Sequence, residues 1–163
     1  MMSRNADVRE YTAQLKKGQI QNAYRGIMAF MSGLRLVMVN KHPDDAASGL
    51  YLGYMDMTYF ALTPPRLKQR NLKIAVVYLH AENRFEVWLG GGNRKVQAET
   101  IERLRHKNTG GYKLSQAEPG VDSIMEQKIV EQPDFDHAEE LMEIIERKTR
   151  AFTRDMLALV DEP

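Results

Sequence analysis

The sequence predicts an α+β domain in which helices cover an antiparallel sheet of about four or five strands. Segments with apolar residues at steps of three and four, typical of helices, flank a central block rich in β-branched and aromatic residues. Short polar turns within that block favour hairpins over parallel crossovers. The predicted order is two helices, strands, a helix, a strand and a final helix, which is not the regular alternation of a doubly wound parallel fold.

Length and composition are typical of one globular domain. The chain has 163 residues, a formal net charge of +1 and 43% hydrophobic residues. We expect a single domain over 1–163, with its core over about 18–160 and residues 1–17 as an N-terminal helical extension. The lack of cysteine excludes disulfides and cysteine nucleophiles and indicates a reducing compartment. Without a long apolar run, a cytoplasmic location and no membrane contact are expected.

Two helices are predicted in the N-terminal quarter. Ser3 or Asn5 is expected to cap a helix that ends near Lys17. After Gly18 a second helix is predicted over about 19–40. It is expected to be largely buried because its apolar residues cover more than one stripe. The main stripe consists of Ile20, Tyr24, Ile27, Met31, Leu34 and Met38.

The central block predicts strands and a hairpin. Residues 50–62 are predicted as the first strand, and one helical turn is expected after Pro64 and Pro65. Residues 72–80 and 84–89 are predicted to form a hairpin around the polar turn 81–83. His80 pairs with either Arg84 or Phe85, and the first register is favoured because it separates polar from apolar residues. In that register Tyr78, His80, Glu86 and Trp88 share one face, and Val77, Leu79, Phe85, Val87 and Leu89 form the core face.

The C-terminal part predicts two helices and further strands. Asn93 is expected to cap a helix through about residue 107, and residues 112–117 are predicted as a short strand. Residues 121–130 fit neither period cleanly, and strand is favoured over helix. The last helix follows Pro133 and repeats apolar residues that would pack on the sheet or form a homodimer through the C-terminal helix. That repeat is Leu141, Ile145, Phe152, Met156 and Leu159.

Three segments carry a resemblance to a known family. They are GYMDMTYFAL (53–62), KIAVVYLHAENRFEVWLGGGNRKVQ (73–97) and GVDSIMEQKIVEQPDF (120–135). They resemble a family of small bacterial proteins known only as a domain of unknown function, over roughly residues 18–155. The resemblance implies a stand-alone domain with the same order of elements. It implies no activity, cofactor or catalytic residue.

Aromatic and acidic residues of the central block are the candidate ligand-binding residues. Asp56 lies in an apolar, aromatic segment, where a carboxylate needs a partner or a raised pKa. Trp88 among polar groups is suited to stack on a planar ligand. A solvent-facing or ion-paired Asp56 and a Trp88 packed beneath a helix are the structural alternatives. The predicted function is a non-catalytic small-molecule- or protein-binding face formed by Tyr54, Asp56, Tyr78, His80, Glu86 and Trp88.

An enzyme is the alternative function. Asp56 and Glu86, on different strands, are the residue types that hold a divalent cation in a metal-dependent hydrolase or phosphodiesterase. The spacing fits poorly, because Trp88 stands where such sites commonly have a lysine. The histidines lack metal-ligand spacing, so no separate metal site is predicted, and no cofactor is identified.

A glycine-rich turn is a second candidate site. Gly91, Gly92 and Asn93 lie between a predicted strand and a predicted helix, whose N-terminal amides are suited to hold a phosphate. The turn matches no nucleotide-binding motif, and a permissive strand-to-helix connection is the alternative. Basic runs at 66–73 and 94–107 are typical of an anion-binding or solvated surface. The near-neutral net charge argues against nucleic-acid binding.

Overall fold

Two helices open the chain, whose residues 3–161 are described by a computed structural model. The first, α1 (Arg4–Lys17), is capped by Ser3, whose hydroxyl oxygen accepts the Ala6 backbone N–H. Gly18 has a φ of 80° and separates α1 from α2 (Gln19–Lys41), because a left-handed residue interrupts the helical hydrogen bonds. Both predicted helices are confirmed, with Ser3 and not Asn5 as the cap.

The expectation that α2 is largely buried is wrong for its N-terminal half. Its buried residues all lie in the C-terminal half and are Phe30, Met31, Leu34 and Met38. Ile20, at the start of the predicted stripe, is 41% exposed, and Leu36 is 58% exposed. The neighbouring α1 has no buried residue of its own and leaves the first turns of α2 in contact with solvent.

A meandering antiparallel sheet forms the centre of the fold. Its strands are β1 (Ala46–Ala47), β2 (Met57–Thr63), β3 (Leu72–Leu79), β4 (Arg84–Gly91) and β5 (Ser123–Glu131). Each strand pairs with the next one along the chain, so the order in the sheet is the order in the sequence. The predicted α+β class with an antiparallel sheet is therefore confirmed.

The remaining helices connect these strands or follow them. The one-turn helix α3 (Pro65–Lys68) leads from β2 to β3, as predicted. Helix α4 (Arg94–Leu104) follows β4, and the Asn93 side chain accepts the Val96 backbone N–H at its start. A short 3₁₀ turn (Phe135–His137) leads into α5 (Ala138–Asp161).

Three strand predictions differ in their outcome. The segment 121–130 is a strand, as favoured. The first long strand begins only at Met57, because Gly53 and Met55 have positive φ angles that an extended strand does not allow. The predicted strand at residues 112–117 does not form; within this segment, Leu114 makes an isolated β-bridge to Met125.

One face of the sheet and the helices share a single core. This face contributes alternate residues of each strand, such as Phe60, Val76 and Val87. Every buried apolar side chain of the helices belongs to the same cluster. Within residues 3–161, the opposite face of the sheet is therefore without a helical layer, and we call it the open face.

The apolar stripe of α5 is part of this core. Leu141, Ile145, Phe152, Met156 and Leu159 are all buried within the chain. This burial removes the observation that suggested a homodimer through the C-terminal helix, and the oligomeric state stays a prediction. Among the described helices, none is both long and apolar enough to cross a bilayer.

Candidate functional site

A cavity of about 420 Å³ lies on the open face of the sheet. Its floor is formed by Ala75 of β3 and Gly90 of β4, which have little or no side chain on this face. The surrounding positions carry large side chains, so the small residues leave a depression between them. The full lining consists of Tyr51, Met57, Tyr59, Lys73, Ala75, Val77, Trp88, Gly90, Gly91, Asn93, Arg94, Gln97 and Asp122.

Aromatic side chains form two sides of this open-face cavity. Tyr51 and Tyr59 are paired through their backbones at the β2 edge, and their ring centroids are 5.0 Å apart. Trp88 stands on β4 directly opposite Ala75, across the cavity from the two tyrosines. A flat ring placed over Ala75 would thus contact aromatic surface on both sides, an arrangement suited to stacking.

Hydrogen bonds along β4 fix the orientation of Trp88. Its indole Nε1–H donates to Glu86 Oε1 at 2.8 Å, and Arg84 Nε donates to Glu86 Oε2 at 2.5 Å. The three residues alternate along the strand and therefore lie on the same face. Glu86 is only 4% exposed, and its hydrogen bond raises the pKa of Arg84, so the guanidinium of Arg84 stays charged. The indole is a pre-positioned wall of the cavity.

Lys73 supplies the positive charge of the cavity. It lies opposite Gly90, and its Cε would be 3.5 Å from a Cβ placed on that glycine, so the chain of Lys73 extends across β4. It is half-buried, and its side chain has no ion pair or hydrogen bond with any residue in 3–161. Arg94, by contrast, is neutralised by Asp122, with Nη2 and Oδ1 2.9 Å apart. The lysine is therefore the charge available to a ligand.

The glycine-rich turn borders this cavity but has a packing role of its own. A Cβ on Gly91 would lie 2.7 Å from the Gln97 backbone nitrogen, so only glycine lets α4 close onto β4. Gly92 packs in the same way against the Asn71 side chain, and Asn93 caps α4. Of the predicted phosphate-binding residues, Gly91 and Asn93 line the cavity and Gly92 lies beside it. Phosphate binding by this turn stays a prediction.

The favoured register of the β3–β4 hairpin is wrong by one residue. Leu79, not His80, pairs with Arg84, because the loop has four residues and Asn83 adopts a left-handed φ of 50°. A shift of one residue moves every side chain of one strand to the other face. Tyr78 therefore lies in the core beside Phe85, where its hydroxyl donates to Asn83 Oδ1 at 2.7 Å.

His80 lies on the helix-covered side as well. Thr58 donates its hydroxyl to the Leu52 carbonyl at 2.7 Å, so His80 Nε2 donates to Thr58 Oγ1 at 2.8 Å. The imidazole also stacks on Tyr24, with ring centroids 6.0 Å apart. Burial lowers the pKa of His80, and the nearby carboxylate of Asp56 only partly opposes this shift. This arrangement favours a neutral imidazole that links two strands to α2.

Tyr54 and Asp56, which were also predicted to bind a ligand, lie in an exposed turn before β2. The Tyr54 side chain is 90% exposed, and Asp56 Oδ1 accepts the Tyr54 backbone N–H at 2.9 Å. Backbone hydrogen bonds, first that from Tyr54, lower the pKa of Asp56. Asp56 thus fixes the turn before β2 and does not contribute to the lining of the cavity.

Asp56 and Glu86 are too far apart to hold one cation. Glu86 pairs with Val77, which pairs with Tyr59, and Asp56 precedes Tyr59 on the edge of β2. Their backbones are thus separated by about 10 Å along the strands and about 10 Å across the sheet. Both Glu86 oxygens already accept hydrogen bonds. In residues 3–161, no cluster of three or more His, Cys, Asp or Glu residues is arranged to hold a metal ion.

Sequence reasoning missed several residues of the cavity. Tyr51 and Tyr59 lie within the predicted strand 50–62, and Lys73 belongs to the basic run 66–73. The signal for Lys73 was its spacing from Ala75 and Val77, because alternate residues of a strand share one face. The favoured register put Trp88 on the opposite face, whereas the observed register pairs Trp88 with Ala75.

Comparison with known proteins identifies the family. Residues 4–160 match the family described as Domain of unknown function (DUF7000). The chain belongs to this family. The match covers almost the whole chain and agrees with the resemblance carried by the three segments. Comparison with curated proteins and with solved structures found no match.

Proposed function

We propose that this DUF7000 domain is a binding module for a small molecule that has a flat aromatic part and an acidic group. The observation that carries the proposal is the combination, in one cavity, of facing aromatic walls and a half-buried lysine without an acidic partner. The ligand's ring would lie over Ala75, between Trp88 and the pair of tyrosines. Its acidic group would reach Lys73.

The volume of the cavity supports a ligand of this size. Small-molecule sites typically have volumes of about 300–1,000 Å³ and an apolar lining with few polar groups. The open-face cavity has about 420 Å³ and meets this description, since Met57, Val77 and the aromatic rings outnumber the charged side chains. Because Glu86 already orients Trp88, the indole loses little freedom when a ligand binds.

Lys73 is expected to provide much of the affinity. A half-buried ammonium group without a counter-ion attracts an anion more strongly than a fully solvated one, because less water screens it. The N-terminus of α4 borders the cavity at Asn93 and is an additional source of positive potential. Of the predicted aromatic face, Trp88 lines the cavity, whereas Tyr78 and His80 lie on the helix-covered side of the sheet.

The proposal is tested with a matched pair of probes, 2-naphthoate and its neutral analogue 2-naphthamide. Trp88 is the single tryptophan of the chain, so its indole N–H signal in a nitrogen–proton correlation spectrum reports on this cavity alone. We expect 2-naphthoate to shift that signal saturably. Lys73→Met should weaken 2-naphthoate binding about tenfold, the equivalent of one charge-assisted hydrogen bond, and leave 2-naphthamide binding unchanged.

Lys68→Met is the control, because Lys68 is an exposed lysine on α3 outside the cavity. It removes the same charge from the chain and should leave the binding of both probes unchanged. The proposal fails if neither probe moves the Trp88 signal, or if Lys73→Met and Lys68→Met weaken 2-naphthoate binding equally.

A further inference from the structure

A second cavity, of about 480 Å³, lies on the other side of the molecule and is independent of the open face. It is bounded by the C-terminal end of α2, the segment after it, the end of β2 and the C-terminal half of α5. We call it the α5 cavity. Its lining combines apolar residues, such as Met38 and Leu62, with several charged ones.

Positive charge dominates the rim of the α5 cavity. Arg150 and Arg154 are separated by one helical turn on α5. Arg66 of α3 also lines the cavity, but its guanidinium is ion-paired with Asp161. The side chain of Arg154 has no ion pair or hydrogen bond with any other residue in 3–161. Arg150 lies 3.7 Å from Glu146, beyond hydrogen-bond distance, and its side chain is 57% exposed. The acid at the rim is Asp45, and burial, partly opposed by His42, raises its pKa.

The base of the α5 cavity contains two buried polar groups. The Glu146 side chain is 4% exposed, and its Oε1 lies 3.0 Å from His42 Nε2. Thr149, one turn further along α5, is 3% exposed and lines the cavity, and its hydroxyl has no hydrogen-bond partner among residues 3–161. An unsatisfied buried hydroxyl is unfavourable, and a bound water or ion is one explanation for it. Thr149 is thus a donor directed to no protein acceptor.

We propose that the α5 cavity is a binding site for a small oxyanion, a phosphate or carboxylate group carried by a metabolite. The oxyanion would accept hydrogen bonds from the Thr149 hydroxyl and from Arg150 and Arg154. Because Arg66 is ion-paired with Asp161, Arg150 and Arg154 are the charges available to the ligand; they outnumber Asp45 at the rim, and the carboxylate of Glu146 is already engaged by His42. The apolar wall of Met38, Leu62 and Leu157 accommodates the organic part of the molecule.

The test is a titration of the full chain with sodium phosphate and, separately, with sodium succinate, with sodium chloride holding the ionic strength constant. Backbone amide signals of Thr149, Arg150 and Arg154 are followed by NMR. A saturable shift at these residues, with a dissociation constant on the order of 1–10 mM, is expected for an isolated oxyanion. Saturation by phosphate alone assigns a phosphate group, and saturation by succinate alone assigns a carboxylate.

Two variants separate a ligand site from a merely basic surface. Arg154→Gln should weaken binding about tenfold. Arg147→Gln removes the same charge from an exposed α5 residue outside the cavity and should not change it. Thr149→Val should leave the melting temperature unchanged or raise it, because it removes the unpaired hydroxyl, and should still weaken binding.

Equal effects of Arg154→Gln and Arg147→Gln would overturn the proposal. So would amide signals that respond to neither anion beyond the sodium chloride control. A Thr149→Val variant that binds as tightly as the wild type would also exclude the hydroxyl from the site.

Discussion

His80 connects the turn before β2 with the core, and its environment makes the domain sensitive to acid. The imidazole donates to Thr58 and stacks on Tyr24, and the carboxylate of Asp56 lies near it. Because burial lowers the pKa of His80, the unfolded chain binds a proton more readily than the folded chain does. The contribution of neutral His80 to stability is therefore complete above the pKa of about 6.5 that histidine has in the unfolded chain. It is lost as the pH falls through the lower pKa of His80 in the folded chain.

His80→Gln isolates this contribution, since a glutamine amide can also donate to Thr58 but does not titrate. We expect the wild type to lose stability relative to the variant as the pH is lowered from about 7.5 to about 5. Urea denaturation at a series of pH values measures the difference. His137, whose hydrogen bond with Asp134 raises its pKa, acts in the opposite sense but is common to both proteins. A difference that is constant with pH, or that grows in favour of the wild type in acid, contradicts the prediction.

Single residues also explain why the candidate site was only partly predictable. The hairpin register was inferred from the separation of polar and apolar residues, which placed Tyr78 with the polar group. In the structure, the Tyr78 hydroxyl reaches Asn83 from within the core, while Val77 is fully buried on the open face. Tyrosine suits either environment, because its ring is apolar and its hydroxyl needs one partner. The left-handed Asn83 decides the register.

At the level of elements, the periodicity of apolar residues predicted the positions of the helices better than it predicted how far each helix is buried. The bounds of α1 and α2 agree with the sequence because Ser3 and Gly18 have strong local preferences for helix ends. The burial of each helix depends on which elements pack on it, and α1 contacts α2 without burying any residue of its own. Val8 and Tyr11 are more than half exposed. Helical periodicity therefore indicates a potential contact face and not an occupied one.

Deletion of residues 1–17 is accordingly expected to have little effect on stability. No residue of α1 is buried, so the free energy of unfolding should change by less than about 1 kcal/mol, as for surface substitutions. Leu34→Ala provides the contrast, because Leu34 is fully buried in α2 and its truncation should cost about 2–5 kcal/mol. Urea denaturation of both variants tests the comparison. A loss on deletion that equals that of Leu34→Ala would show that α1 is part of the core.

At the scale of the whole molecule, the open-face cavity results from contributions that are distant in the chain. Tyr51, Lys73 and Trp88 meet only because β2, β3 and β4 are adjacent and in one particular register. The fold class follows from local patterns that are repeated along many residues. The cavity depends on the pairing of single residues, which local patterns do not specify. This difference explains why the fold class was predicted correctly, whereas only Trp88, Gly91 and Asn93 of the predicted site residues line the cavity.

Phe152→Glu distinguishes the two interpretations of the α5 stripe for the whole molecule. If the stripe formed a dimer interface, the variant would be a folded monomer. In the structure, Phe152 is fully buried, and its ring lies 5.5 Å from that of Tyr112, centroid to centroid. An ionised carboxylate at this position would have no partner, and its burial should cost more than about 4 kcal/mol, a large part of the stability of a typical domain.

We therefore expect Phe152→Glu to lose its folded circular dichroism signal and its cooperative melting transition. Arg147→Glu is the matched control, because it introduces the same side chain at an exposed position of α5 and should stay folded. Light scattering on all three proteins completes the test. A Phe152→Glu variant that keeps the wild-type spectrum and has half the wild-type mass would show that α5 holds two copies together. If Phe152→Glu unfolds while Arg147→Glu stays folded, the stripe belongs to the core of one chain.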